Sequence, residues 1–547
     1  MEIKFQKHIE EKSFLHQYIN AEAEVMEFYD YPLTNEGLLK RYEEVLSREY
    51  FRKELTEVLL QFNHRFTTSK ATFMQINRLM DKKSVVVVGG QQAGLLTGPI
   101  YTINKVISIL HEAETIEKQL GIPVIPIFWI AGEDHDIDEV NHTYFHNGDR
   151  TKKVAINERN DIKQPVSERK ISSSEGKEML KQAFQFLPET NFTKEIYRCL
   201  GEDLNEELTY VEWFASILHR LFKGTGLVLM DAAHPSIREI EKNYFKEMIE
   251  NNDGLREAFC ETAEQFKKEG YGEPIAIEKK NAHIFLHDQG QRYLLEKEGD
   301  LFKEKQGGNT WTESQLLEIL DESPQKFSNN VVSRPVMQDK LLPVIGFISG
   351  PGELKYWGTL KKVFHTMNIN MPLVYPRLHI SFISRRSEKS LEWIGITPHE
   401  VTTNGIKNEK GLWIKNNSQV DIDNVFEAIS DEMKGLLSNI EKELQPLGHK
   451  VGEQTPKYEE KVLNVVSQYK KKVKSVVKKD QQVYLMRFDE LETEIRPNGN
   501  LQERYLNIIP YLNTHGEDFV LQVLMQIKKG HLKEKNSLYE NFIYIYV

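Results

Sequence analysis

Apolar residues recur every three or four positions through "LLKRYEEVLSREYFRKELTEVLLQF", with no Gly or Pro among them. This predicts a helical N-terminal segment over residues 1–80. At "SVVVVGG" (84–90) the period changes. Four consecutive valines bounded by glycines predict a strand buried on both faces, as in a parallel sheet. "TGPIYTINKVISILHEAETIEKQLG" then returns to helical spacing through Ile103, Val106, Ile107 and Leu110, with Pro99 near its start and Gly121 near its stop. "IPVIPIFWIAG" is a second apolar strand, and strand, helix and strand together make a right-handed βαβ unit.

The same grammar returns in "GTGLVLMDAAHPSIREIEKNYFKEMIE" and "LLPVIGFISGPGELKYWGTLKKVFHTM", and "MPLVYPRLHISFIS" supplies a further strand. These place a Rossmann-like, doubly wound α/β core over residues 81–400. "TKKVAINERNDIKQPVSERKISS" and "AHIFLHDQGQRYLLEKEGDLFKE" read as strands or hairpins inserted into it, at about 145–220 and 270–330, the second turning at "DQGQ". Beyond "TTNGIKNEKG", Phe426, Ile429, Met433, Leu436, Ile440 and Leu444 keep a three-four spacing. It resumes after "QPLGHKVGEQTP" with Tyr458, Val462, Val465, Tyr469, Val473 and Val476, then Leu485, Phe488 and Leu491. Residues 420–495 are thus expected to form an antiparallel helical coiled-coil hairpin, with "YKKKVKSVVKK" as its solvated face. Residues 496–547 are expected to be a helical return segment.

Composition narrows the function. The formal net charge of −11 opposes a general grip on nucleic acid, which needs clustered Lys and Arg. Two cysteines, Cys199 and Cys260, cannot build a disulfide framework or a thiolate-rich zinc site, which suits a reducing interior. The first twenty residues carry scattered charges and no apolar core, and no run reaches membrane-spanning length. A cytoplasmic protein without membrane contact is the expectation.

In doubly wound sheets, ligands sit beyond the carboxyl ends of the strands, where strand order reverses. Several loops compete for that place. "GGQQAGLLTGPIYTINK" offers a flexible, glycine-rich helix approach for phosphate or carboxylate, through Gly90, Gln91, Gln92, Gly94, Thr97, Gly98, Tyr101, Asn104 and Lys105. It is neither a P-loop nor a Gly-x-Gly-x-x-Gly fingerprint. "FWIAGEDHDIDEVNH" follows the second strand with Trp129, Glu133, Asp134, His135, Asp136, Asp138, Asn141 and His142. No known zinc spacing occurs there, so no metal is assigned, and polar recognition with acid–base work is favoured over a loop that merely solvates the strand end. Asp231 and His234 end the third strand. Ser349, Gly350, Gly352, Glu353 and Tyr356 follow the fourth, while Arg334 and Arg377 are candidate anion partners or structural ion pairs.

These stretches, in this order and followed by a helical hairpin, resemble the cysteine-adding enzymes of bacillithiol biosynthesis in Gram-positive bacteria. The resemblance covers essentially the whole chain. It implies joining of L-cysteine to the amine of glucosaminyl-malate, on a Rossmann-like core with connective-peptide insertions similar to class I aminoacyl-tRNA synthetases. It also implies a homodimer formed through the coiled coil. The His-x-Gly-His and Lys-Met-Ser-Lys-Ser signatures of those synthetases are absent, which leaves the activating cosubstrate open between ATP and another nucleotide. Under this reading His135 or Asp136 is the base, with Asp134 and Asp138 beside it, and the glycine-rich turns hold phosphate or carboxylate. A different nucleotide-binding transferase or ligase on the same fold, or a non-catalytic coiled-coil interaction protein, are the alternatives.

Overall fold

In the computed structural model, the structure describes residues 1–7, 13–66, 68–158, 163–417, 420–448, 450, 453–530 and 538–547. Parts of the readings at 1–80, 151–173 and 445–456 therefore fall outside the described residues. Two compact units emerge: Met1–Asn147 with Thr151–Phe382 and Gln502–Tyr546, and Gly148–Arg150 with Ile383–Leu501 and Val547.

Among the described residues, the core sheet of the first unit has five parallel strands. In spatial order they are Leu373–Pro376, Val344–Ser349, Val85–Gln91, Val124–Ile130 and Val228–Asp231. Numbered along the chain this is 5-4-1-2-3, the doubly wound order, and the reversal falls between Val85–Gln91 and Val344–Ser349. Val85 to Val88 are fully buried, as a sheet covered on both faces requires. Helix Tyr101–Leu120 makes the first crossover and ends at Gly121, whose φ of 66° supplies the left-handed cap. N-terminal helices close one face: Tyr18, Val25, Leu59 and Leu79 pack in one core with Val86, Ile125 and Val344.

The insertion before the fourth strand is an antiparallel sheet in which Asn281–Asp288 pairs with Gln291–Glu298. Gln289 (φ 48°) and Gly290 (φ 76°) form its two-residue turn, as "DQGQ" predicts. The earlier insertion opens with the hairpin strands His142–Asn147 and Arg150–Ala155 but continues as helices Ser173–Phe186, Thr193–Glu202 and Tyr210–Leu221.

Two expected helical stretches end differently. Glu2–Lys7 is a strand, and it pairs antiparallel with Asn541–Tyr546, itself at the end of the segment read as a helical return. Glu2–Lys7 alternates between polar and apolar residues, whereas Asn541–Tyr546 is a continuous apolar run from Phe542 on and lies between Glu2–Lys7 and His379–Ile383 in a three-stranded sheet. The pairing joins opposite ends of the chain, so local periodicity carries no trace of it.

In the second unit, helices Ile422–Leu444 and Thr455–Asp480 pack as the predicted hairpin. Phe426 meets Tyr469 with ring centroids 5.5 Å apart, and Lys470 and Lys474 reach Asp423 at 2.6 and 2.8 Å. The lysine run is therefore partly engaged within the hairpin rather than wholly solvated.

Candidate active site

A cavity of about 490 Å³ opens at the strand-order reversal. The core contributes the strand end Gly90–Gln92, Trp129, the loop Glu133–His135, Arg334, Glu353 and Tyr356. The inserted sheet contributes Phe285, Arg292 and Leu294, and Asn329 to Val331 join the two.

The acidic loop is built rigidly. Asp134 Oδ1 accepts the backbone amides of His135 (2.7 Å) and Asp136 (3.4 Å), and the Gln92 side-chain amide donates to Asp134 Oδ2 (2.6 Å) and to Glu139 (2.6 Å). Beneath it, the backbone amides of Val166 and Ser167 donate to the carbonyls of Asp134 and Gly132. Gly132 allows this approach, because a Cβ there would fall 2.3 Å from Asp231 Oδ1.

Glu133 is 4% exposed. Its Oε2 receives the Arg238 guanidinium and, at 3.5 Å, the Asn329 amide, while Arg238 also binds Glu241. No protein group among the described residues bonds Glu133 Oε1, which is left to the cavity. Burial pushes the Glu241 carboxyl up to about 7, despite Arg238. Across the cavity, Arg292 is gripped by Ser328 Oγ (2.9 Å) and the Asn329 carbonyl (2.6 Å), lies over the Phe285 ring at 3.7 Å, and donates to His135 Nδ1 at 3.2 Å. Burial brings its pKa down to about 10.

Arg334 differs in kind. It donates to the Tyr356 hydroxyl at 3.0 Å and lies over the Phe347 ring, but no carboxylate of the described residues pairs with it, and its Nη1 is buried without a partner.

Residues 1–378 match the model described as "Bacillithiol biosynthesis BshC, N-terminal Rossmann-like domain", and 380–535 match "Bacillithiol biosynthesis BshC, C-terminal coiled-coil domain". Among similar proteins are two named "Putative cysteine ligase BshC". The one from Bacillus cytotoxicus is 37% identical over 93% of this chain and 95% of its own length; that from Bacillus cereus strain AH187 is 35% identical over 96% and 97%. The chain belongs to the BshC family. It is a ligase of bacillithiol biosynthesis with the Rossmann-like and coiled-coil domains of that family.

Within this BshC fold the remaining candidates are not among the residues that line the cavity. Lys105 is buried and braces it from behind, donating to the Gly90 carbonyl and to Glu353, each at 2.6 Å. Burial lowers its pKa, with Glu353 opposing. Tyr101 accepts weakly from Gln91 at 3.5 Å. Gly94, Thr97 and Gly98 form a packed turn. Leu96, Thr97 and Gly98 all have positive φ there (52°, 75° and 67°), a costly run for two residues with side chains, and the Asn507 amide holds it by donating to the Leu96 and Gly98 carbonyls.

Asp136 stands at the N-terminal boundary of the short helix Ile137–Val140 without a side-chain capping bond, the helix contains Asp138, and His142 Nδ1 lies 3.2 Å from Asn141 Oδ1. Asp231 is buried, takes both the Ser167 hydroxyl and the Ala233 amide, and is raised to about 6 by burial. His234 caps the helix Pro235–Glu250. At the fourth strand, Ser349 donates to the Tyr375 carbonyl, and the Gly350 amide is taken by Glu353 at 2.6 Å, so that the Gly350–Gly352 helix start is closed by its own side chain. Arg377 makes a bidentate ion pair with Glu503 at 2.6 and 2.8 Å, the structural alternative for a lone arginine. Arg292, whose only local signal is a charge in a strand between apolar runs, and Asn329, Asn330 and Phe285 complete the cavity without any motif in the sequence to mark them.

Proposed function

We propose that the cavity joins the carboxyl of L-cysteine to the amine of glucosaminyl-malate, the last step of bacillithiol formation. The single observation that carries this reading is the meeting, in one cavity, of a carboxylate with a free oxygen, Glu133, and a guanidinium without a counter-ion among the described residues, Arg334. Arg334 is half-buried, its Nη1 is buried without a partner and no carboxylate of the described residues neutralises it, so it is suited to an anionic ligand such as a malate or cysteine carboxylate. Glu133 Oε1 is suited to accept the proton that the amine must lose before it attacks. The amine nitrogen then bonds to the activated carboxyl carbon, and the bond from that carbon to its leaving group breaks. A ligase couples such a step to cleavage of a nucleoside triphosphate, and ATP is the proposed cosubstrate. In a strain lacking the gene, mass spectrometry should find bacillithiol gone and glucosaminyl-malate accumulated, with both reversed by the wild-type gene. Unchanged bacillithiol would remove the proposal.

We also propose a homodimer built on the helical hairpin. Leu436, Ile440, Tyr458, Val465, Tyr469 and Val476 are between 49% and 65% exposed in the single chain, a stripe at coiled-coil spacing. Replacing Leu436 and Ile440 with Glu should yield a monomer by light scattering where the wild type is a dimer.

A further inference from the structure

We infer that Arg292, carried into the cavity by the inserted hairpin, fixes His135 as a neutral imidazole with its proton on Nε2, so that His135 acts as a hydrogen-bond donor and not as the base. The role in catalysis rests on the ligase reading above; the tautomer does not.

A guanidinium has five N–H donors and nothing with which to accept. The Arg292 Nη1 to His135 Nδ1 contact at 3.2 Å therefore requires an unprotonated Nδ1. A neutral imidazole bare at Nδ1 carries its proton at Nε2. Arg292 cannot readily turn away, since its Nε and Nη2 are held by Ser328 and the Asn329 carbonyl and its face lies on Phe285.

The charged and titratable groups around His135 come from several elements: Arg292 and His287 from the inserted hairpin, Lys163, and Asp134 and Asp136 from its own loop. Asp134 Oδ1, 3.9 Å from Nδ1, favours a charged ring, but that oxygen already accepts two backbone amides. Burial first, then Arg292, hold the imidazole below its ordinary range.

The single lone pair that could take a proton is thus occupied, while Nε2–H has no protein acceptor among the described residues and belongs to a side chain lining the cavity. A donor so placed serves a carbonyl oxygen that gains negative charge as the tetrahedral intermediate forms. Arg292 is then a positioning residue, and the insertion completes the chemistry of the core loop.

Long-range proton–nitrogen NMR of the full-length protein labelled at histidine tests the tautomer without turnover. The expected result is a protonated Nε2 and a bare Nδ1 for His135 at neutral pH, with Arg292→Met giving a mixed tautomer and a ring that charges at higher pH. A proton on Nδ1, a charged ring, or an unchanged Arg292→Met spectrum would overturn the inference. Turnover supplies the second arm. His135→Gln places an amide N–H near the Nε2 position, so it should stay within about tenfold of wild type, whereas His135→Ala should fall about 10²–10³-fold. Equal loss in both variants would mean a base and overturn the donor role. If no variant, nor the wild type, forms the amide, the ligase reading fails while the NMR result still decides the tautomer.

Discussion

Glu133→Gln should lower the rate of amide formation by about 10²–10⁴-fold while leaving the fold intact. Gln keeps the shape of Glu133 but cannot take a proton. Its carbonyl oxygen must face Arg238, so its NH₂ turns to the cavity, where a donor meets the incoming amine in place of an acceptor. Stability should change little, because Arg238 keeps Glu241 as its partner. Losing the competing Glu133 charge also removes one of the forces that raise Glu241. Product formation by purified protein, alongside a melting curve, checks both halves.

The second large effect concerns stability rather than chemistry. Glu503→Ala should cost about 3–5 kcal/mol, the range for removing one partner of a buried ion pair. Glu503 is fully buried and accepts from Arg377, His379 and Asn104, tying the C-terminal segment to the last core strand and to helix Tyr101–Leu120. Without it, Arg377 is a buried charge with no counter-ion. Burial alone would raise the Glu503 carboxyl, but Arg377 and His379 hold it well below the usual carboxylate range. A depressed folded-state value stabilises above the unfolded value of about 4.3 and loses that contribution as pH falls through the folded one. The gap in melting temperature between wild type and variant should therefore be constant from pH 7 to about pH 5, and should narrow in stronger acid.

What the chain discloses locally and what it conceals divide along physical lines. The core strands were legible because burial on both faces leaves an unbroken apolar run, as in Val85–Val88 and Val124–Ile130. The cavity floor was legible in part, since a doubly wound sheet dictates where its loops converge, and Gln92, Glu133, Asp134, His135 and Glu353 do meet there. Arg292 was hidden because its importance comes from the register of the hairpin, which puts it beside His287 and on the face of Phe285. Arg334 and Arg377 look alike in sequence, and only the distant Glu503 separates a paired arginine from an unpaired one. The terminal strands Glu2–Lys7 and Asn541–Tyr546 are the extreme case, since their pairing joins opposite ends of the chain.

The most direct measurement of the central claim, that this cavity makes the amide, is the thiol profile of the gene-deletion strain carrying Glu133→Gln at wild-type protein abundance. Bacillithiol should fall to a small fraction of the wild-type level while glucosaminyl-malate accumulates. Wild-type levels of bacillithiol from that variant would contradict it.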